Sequence, residues 1–126
     1  MAKWRHLAVK EFEELKTDLN SREYSLYQLF FDLLPMVQEA VKNNDLSTRK
    51  KVYGFAQWCL RQKTGDTANA AGVAFYEHVF DRNEGVNDVF PFMDRESIDC
   101  VMGLWKARLS ALKILEIEMG YKKLYG

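Results

Sequence analysis

Turn-forming residues are scarce in this chain of 126 residues, which has two prolines and seven glycines. An all-β fold needs such residues at its many turns, so their scarcity argues against that class. Cysteine is equally sparse. Cys59 and Cys100 are the only two, and both sit in helix-like apolar patterns, which argues against a disulfide framework as the organising device. Both read as buried structural thiols in a reducing compartment. There is no excess of either charge, since 18 basic side chains face 18 acidic ones. A general electrostatic pull toward nucleic acid or a membrane is therefore not expected. No long apolar run is present either. The most apolar stretch, "LYQLFFDLLPMV", is interrupted by Asp32 and Pro35 and is too short to span a bilayer. The opening "MAKWRHLAVKEFEEL" lacks the continuous apolar segment and cleavage site of a signal peptide, so a cytoplasmic location is expected.

Motifs that carry chemistry are missing as well. The sequence contains no HExxH, no CxxC, no glycine-rich phosphate loop and no nucleophile elbow. No enzyme activity, cofactor or metal site is expected from it.

What is present is helical patterning. Hydrophobic residues make up 48% of the chain and charged residues 29%, a balance that fits one globular domain spanning residues 1–126. Trp4, Ala8, Phe12, Leu15 and Leu19 recur at helical spacing and predict a first amphipathic helix. Leu26, Phe30, Leu33 and Val37 predict a second, started by Ser21 and kinked or restarted at Pro35. "NNDLS" ends it and caps the third, on which Val52, Phe55, Ala56, Cys59 and Leu60 form the stripe and which Gly65 closes. A fourth helix, capped by Asp66 or Thr67, carries "NAAGVAFYEHVF" and is apolar almost all round, which places it at the centre. Residues 81–93 read as a polar loop. Asp94 caps a fifth helix with Ile98, Val101, Met102, Trp105 and Leu109 on one stripe, and a last helix runs from near Ser110 to near Gly120. The expected fold is all-α, a single-domain bundle of five or six antiparallel helices.

Tyr76, Glu77 and His78 stand side by side among apolar residues. Neighbours on a helix point about 100° apart, so Glu77 should not face His78. His78 falls on the stripe of Ala71, Ala74 and Phe75 and reads as a core histidine rather than a ligand or general base. Tyr53, Trp58, Tyr76 and Glu77 are expected to share a buried polar network joining the third and fourth helices, with His78 beside them. On that expectation Glu77→Gln lowers the melting temperature.

The balanced charge hides two local imbalances. Residues 47–65 hold Arg49, Lys50, Lys51, Arg61 and Lys63 and no acid, whereas residues 81–99 hold Asp81, Glu84, Asp88, Asp94, Glu96 and Asp99 against Arg82 and Arg95. Val86, Val89, Phe90 and Phe92 lie among those acids. Apolar anchors ringed by charge suit a protein-binding surface, so Asp81, Glu84, Asp88, Phe90, Phe92, Asp94 and Glu96 are the expected interface for a basic partner. The acidic side of the first helix, Glu11, Glu14 and Asp18, is a second candidate. A different possibility is a scaffold or adaptor that self-associates through Tyr121 and Tyr125.

"YGFAQWCL" (Tyr53 to Leu60) followed by "NAAGVAFYEH" (Asn69 to His78) resembles an uncharacterised family of small helical bacterial proteins, whose members look like immunity proteins of polymorphic or contact-dependent growth-inhibition toxin systems. The resemblance covers about the middle third of the chain. It implies an all-α scaffold and a cytoplasmic protein, monomeric when free, that blocks one cognate toxin domain, most plausibly a nuclease, by covering its active site. It implies no direct nucleic-acid contact.

Overall fold

A computed structural model describes residues 2–62, 65–82 and 84–126 of the chain. Among these the fold is all-α: eight α-helices, short 3-10 and π segments, and no strand. The helices are α1 (Lys3–Glu11), α2 (Lys16–Leu19), α3 (Leu26–Lys42), α4 (Leu46–Leu60), α5 (Gly65–Ala70), α6 (Val86–Val89), α7 (Arg95–Arg108) and α8 (Ala111–Tyr125). The count exceeds the expected five or six because the first helix is divided and the 81–93 segment carries a short one. Phe12 causes the division. Its φ of −121° and ψ of 70° leave the helical region, and a 3-10 turn, Glu13–Leu15, follows before α2 begins. The break lets Phe12 bury its ring edge-on against Phe55, with centroids 5.5 Å apart.

The second helix starts at Ser25, not at Ser21. Ser25 accepts from the Gln28 N–H and donates its own N–H to the Gln28 side chain, a reciprocal cap. Pro35 does not divide α3, which continues to Lys42. The carbonyl that proline leaves without a donor belongs to Phe31, and Phe31 and Pro35 both lie on the exposed side, where that carbonyl is open to solvation. At the end of α3, Asn44 adopts a left-handed φ of 56°. Its N–H reaches the Val41 carbonyl and that of Asp45 the Ala40 carbonyl, closing the helix in a Schellman motif. Asp45 then caps α4 by accepting from the Thr48 N–H and hydroxyl.

The "NAAGVAF" segment lies at the centre, as its composition requires, with Ala70, Ala71, Ala74, Phe75, Tyr76, Val79 and Phe80 all buried. It is not one α-helix. Asp66 and Thr67 lie inside α5 rather than before it. After α5 the chain widens into a π turn, Ala71–Phe75, and tightens into a 3-10 turn, Tyr76–His78. The extra residue of a π turn shifts the buried face one position along. Val79 and Phe80 therefore point inward where an α-helix would have used His78. The indole N–H of Trp105 on α7 donates to the Tyr76 carbonyl at 2.7 Å, supplying a partner just past the π turn.

Helix α7 begins where expected, with Asp94 accepting from the Ser97 N–H at 2.8 Å. Ser110 caps α8 through the Lys113 N–H, but α8 runs past Gly120 to Tyr125. Gly120 is an interior contact, not a stop. A Cβ there would lie 2.8 Å from Val86 Cγ2, so glycine lets α8 lie close on α6. No helix among the described residues is long and apolar enough to cross a membrane.

Candidate protein-binding site

The residues from Asp81 to Asp99 are folded inward more than their composition suggests. Glu84 and Phe90 are buried, at 3% exposure each, so neither is available to a partner. Phe90 packs between Phe80 and Trp105. Phe92 is half-buried and stacks on Tyr53 at 5.0 Å, with the Arg49 guanidinium over the Phe92 ring at 5.4 Å from its centroid. Asp88 accepts from the Gly85 N–H at 2.8 Å and holds the start of α6, while Arg49 pairs with its carboxylate at 3.9 Å and bonds its carbonyl at 3.2 Å. Asp94 serves α7, and also receives the Gln57 amide at 3.1 Å and Arg61 at 3.7 Å. Hydrogen bonds from Ser97, side chain and backbone, hold its carboxyl below the usual range. Glu96 alone of the expected set is exposed and outside these ties. Asp88 and Asp94 are helix caps, because each precedes or begins a helix whose free N–H groups need an acceptor.

Asp81 makes a different tie. Its carboxylate takes both terminal nitrogens of Arg108, one at 2.8 Å, and the His78 Nδ1 at 2.9 Å. Partial burial opposes its ionisation, but the Arg108 and His78 bonds outweigh that and hold its carboxyl low. The other ring nitrogen of His78 lies 3.3 Å from the Glu77 carboxylate. Glu77 and His78 do meet, contrary to the helical-wheel expectation, because residues 76–78 are not α-helical and both side chains reach the surface. Arg108 also donates to the Glu77 carbonyl at 2.9 Å. The group pins the 77–81 turn to the end of α7. His78 is half-exposed rather than a core residue.

The expected network of Tyr53, Trp58, Tyr76 and Glu77 is not formed. Tyr53 and Tyr76 are fully buried against Phe75, yet neither hydroxyl has a hydrogen-bond partner among the described residues. Burial pushes both phenols upward, well so for Tyr76, and Glu84 adds to the effect at Tyr53. Trp58 is half-buried, and its backbone carbonyl accepts from Gln62. Trp105, not Trp58, supplies the indole bond to this region. Cys59 is buried, as expected, and its thiol is pushed up by desolvation. Cys100 is exposed, since it lies off the Ile98–Val101–Trp105 stripe that faces the core.

The other expected surfaces fare differently. Glu14 and Asp18 are exposed and Glu11 is half-exposed. Of the basic stretch, Lys50, Lys51 and Arg61 are exposed, Arg49 is half-buried against Asp88, and Lys63 lies outside the described residues. Tyr121 and Tyr125 are half-buried and pack on each other at 5.1 Å under the Arg95 guanidinium, which bonds the Tyr121 hydroxyl at 3.0 Å. That arrangement covers part of each ring.

The surface that sequence patterning did not single out is on α8. Ile114, Ile117 and Tyr121 form the side packed on the body of the molecule. Leu112, Leu115 and Met119 form another side, exposed by 81%, 53% and 64%. Their i, i+3, i+7 spacing places them on one face, beside the exposed charges Glu116, Glu118, Lys122 and Lys123. The signal was legible in "ALKILEIEMG", which carries two apolar stripes where an ordinary surface helix carries one.

A family model described as "Domain of unknown function (DUF7674)" matches residues 5–106. No curated protein and no solved structure matches the chain. Helix α8 lies beyond the matched residues.

Proposed function

The chain belongs to the DUF7674 family, a domain of unknown function, and for this member we propose a protein-binding role: an immunity protein that neutralises a cognate bacterial toxin domain. The role is the one its Tyr53–Leu60 and Asn69–His78 motifs imply by resemblance. In this reading the protein is cytoplasmic, non-catalytic and monomeric when free, and it covers the active site of its toxin, a nuclease.

The observation that carries the proposal is the outer face of α8. A single exposed leucine is ordinary, but three large apolar side chains on one helix face form a patch. Charged neighbours on both sides give it the apolar centre and polar rim of a binding surface. The criterion first applied to residues 81–99 is met here instead. A second copy is the weaker occupant. The three side chains offer on the order of 300 Å², well under the roughly 800 Å² per partner that stable pairing needs. A toxin domain that takes α8 in a groove can extend over neighbouring surface and make up the difference.

The test is calorimetric binding to the toxin domain encoded beside this protein, with the parent and with a Leu112→Ser, Leu115→Ser, Met119→Ser variant. Tight binding by the parent and a loss of about a hundredfold or more in the variant is expected. A parent that binds no such domain sinks the immunity role. Equal binding by both proteins keeps the role and moves the interface away from α8.

A further inference from the structure

Five buried side-chain polar atoms have no hydrogen-bond partner among the described residues: Arg49 Nε, Tyr53 Oη, Gln57 Oε1, Tyr76 Oη and Glu84 Oε2. They are not scattered. Arg49, Tyr53 and Gln57 follow one another at i, i+4 and i+8 on α4 and so share one face. The first two meet on a single ring, since Phe92 stacks on Tyr53 at 5.0 Å and lies 5.4 Å from the Arg49 guanidinium. Glu84 reaches the same place from the facing segment. The Asp88 carboxylate pairs with Arg49 at 3.9 Å and accepts from the N–H of Gly85, the residue after Glu84, at 2.8 Å. Of the charged groups that act on the Tyr53 phenol, Glu84 has the largest effect and Arg49 the next. Tyr53 is wholly buried and Glu84 is 3% exposed.

A polar atom buried without a partner is costly. The identity of these three atoms restricts what can join them. The Arg49 Nε–H and the Tyr53 hydroxyl donate, and the Glu84 carboxylate oxygen accepts. An anion would be opposed by Glu84 and a metal cation by the guanidinium. An ammonium ion has no lone pair to accept from Arg49. A neutral molecule that accepts twice and donates once satisfies all three, and water is the smallest that does. Internal waters typically make about three such bonds.

We propose that one ordered internal water joins Arg49, Tyr53 and Glu84, accepting from the Nε–H and the hydroxyl and donating to Oε2. It ties the segment before α6 to α4. The site is independent of the α8 face and does not rest on the immunity role.

The experiment is NMR detection of water contacts at Arg49 Hε in the nitrogen-labelled full-length protein, with paired NOESY and ROESY spectra to separate a bound water from proton exchange. A cross-peak of the sign given by a long-lived water is expected in the parent. Glu84→Gln keeps an acceptor and should retain it, whereas Glu84→Leu should lose it. Tyr53→Phe serves as the second test, in case the leucine variant does not fold. Removing a hydroxyl that water satisfies should lower the melting temperature, whereas removing one with no partner should raise it. No long-lived water at Arg49 Hε in the parent overturns the proposal, and that is also the result if Tyr53 donates directly to Glu84. A cross-peak that survives Glu84→Leu, or a higher melting temperature for Tyr53→Phe, overturns it too.

Discussion

Single residues in this protein do work that their type does not announce. Gly120 sits mid-helix, where glycine is ordinarily a cost, because Val86 occupies the space of a side chain. Gly120→Ala should destabilise by about 1–3 kcal/mol, since backbone packing must give way to a methyl group. Denaturant unfolding measures this, and Val86→Ala in the same chain should restore most of the loss. Were the glycine a mere helix weak point, alanine would stabilise instead. Glu77 illustrates the opposite case. Composition made it a buried network member, but its side chain is 27% exposed and its carboxylate meets His78. Glu77→Gln should therefore shift the melting temperature little, while Asp81→Asn, which breaks the tie to Arg108, should shift it more.

Elements are decided by their ends and by their departures from α geometry. The Schellman close of α3 needs a left-handed residue, and Asn44 is among the few non-glycine types that accept it. Asn44→Gly should be neutral or slightly stabilising, and Asn44→Val should cost about 1–2 kcal/mol in denaturant unfolding. The π turn at Ala71–Phe75 is held from outside by the indole of Trp105. Trp105→Phe keeps much of the apolar contact with Phe80 and Phe90 but leaves the Tyr76 carbonyl with only the longer bond from the Val79 N–H, at 3.3 Å. A loss of about 0.5–1.5 kcal/mol is expected from the missing indole bond, with the cavity adding to it. Helix periodicity found the stripes of α3, α4 and α7 because those helices bury one face. It misplaced His78 because a five-residue turn of different pitch leaves no mark in the pattern of apolar residues.

For the whole molecule, charge balance conceals how acids are used. Asp45, Asp81 and Asp94 each have carboxyls held below the usual range, Asp45 and Asp94 by hydrogen bonds at helix starts and Asp81 by bonds that outweigh its partial burial. A depressed folded value means that the stabilisation is complete above the unfolded value of about 3.9 and is lost as pH falls through the folded one. The melting temperature should therefore drop on acidification below about pH 4. Asp94→Asn should melt lower than the parent at neutral pH and approach it near pH 2, a convergence that thermal scans across pH would show. The same coupling makes charge reversal at Asp88 or Asp94 a poor probe of binding, because it unsettles α6 or α7 before it reaches any partner. The α8 face is the cleaner probe, since Leu112, Leu115 and Met119 are mostly exposed and replacing any one of them should change stability by less than about 0.5 kcal/mol.

By itself the sequence determined the all-α class, the central position of the "NAAGVAFYEH" segment, and the caps at Asp45, Asp94 and Ser110. These follow from local rules: apolar spacing, turn-residue scarcity and side chains that satisfy free N–H groups. Only the tertiary structure decided which acids are internal, which aromatics are covered, and that a second apolar face of α8 is left open. Those outcomes depend on what approaches each side chain from elsewhere in the chain. Glu84 and Glu96 look alike in sequence, yet Glu84 is buried beneath α3 and α8 and Glu96 stands in solvent at the start of α7.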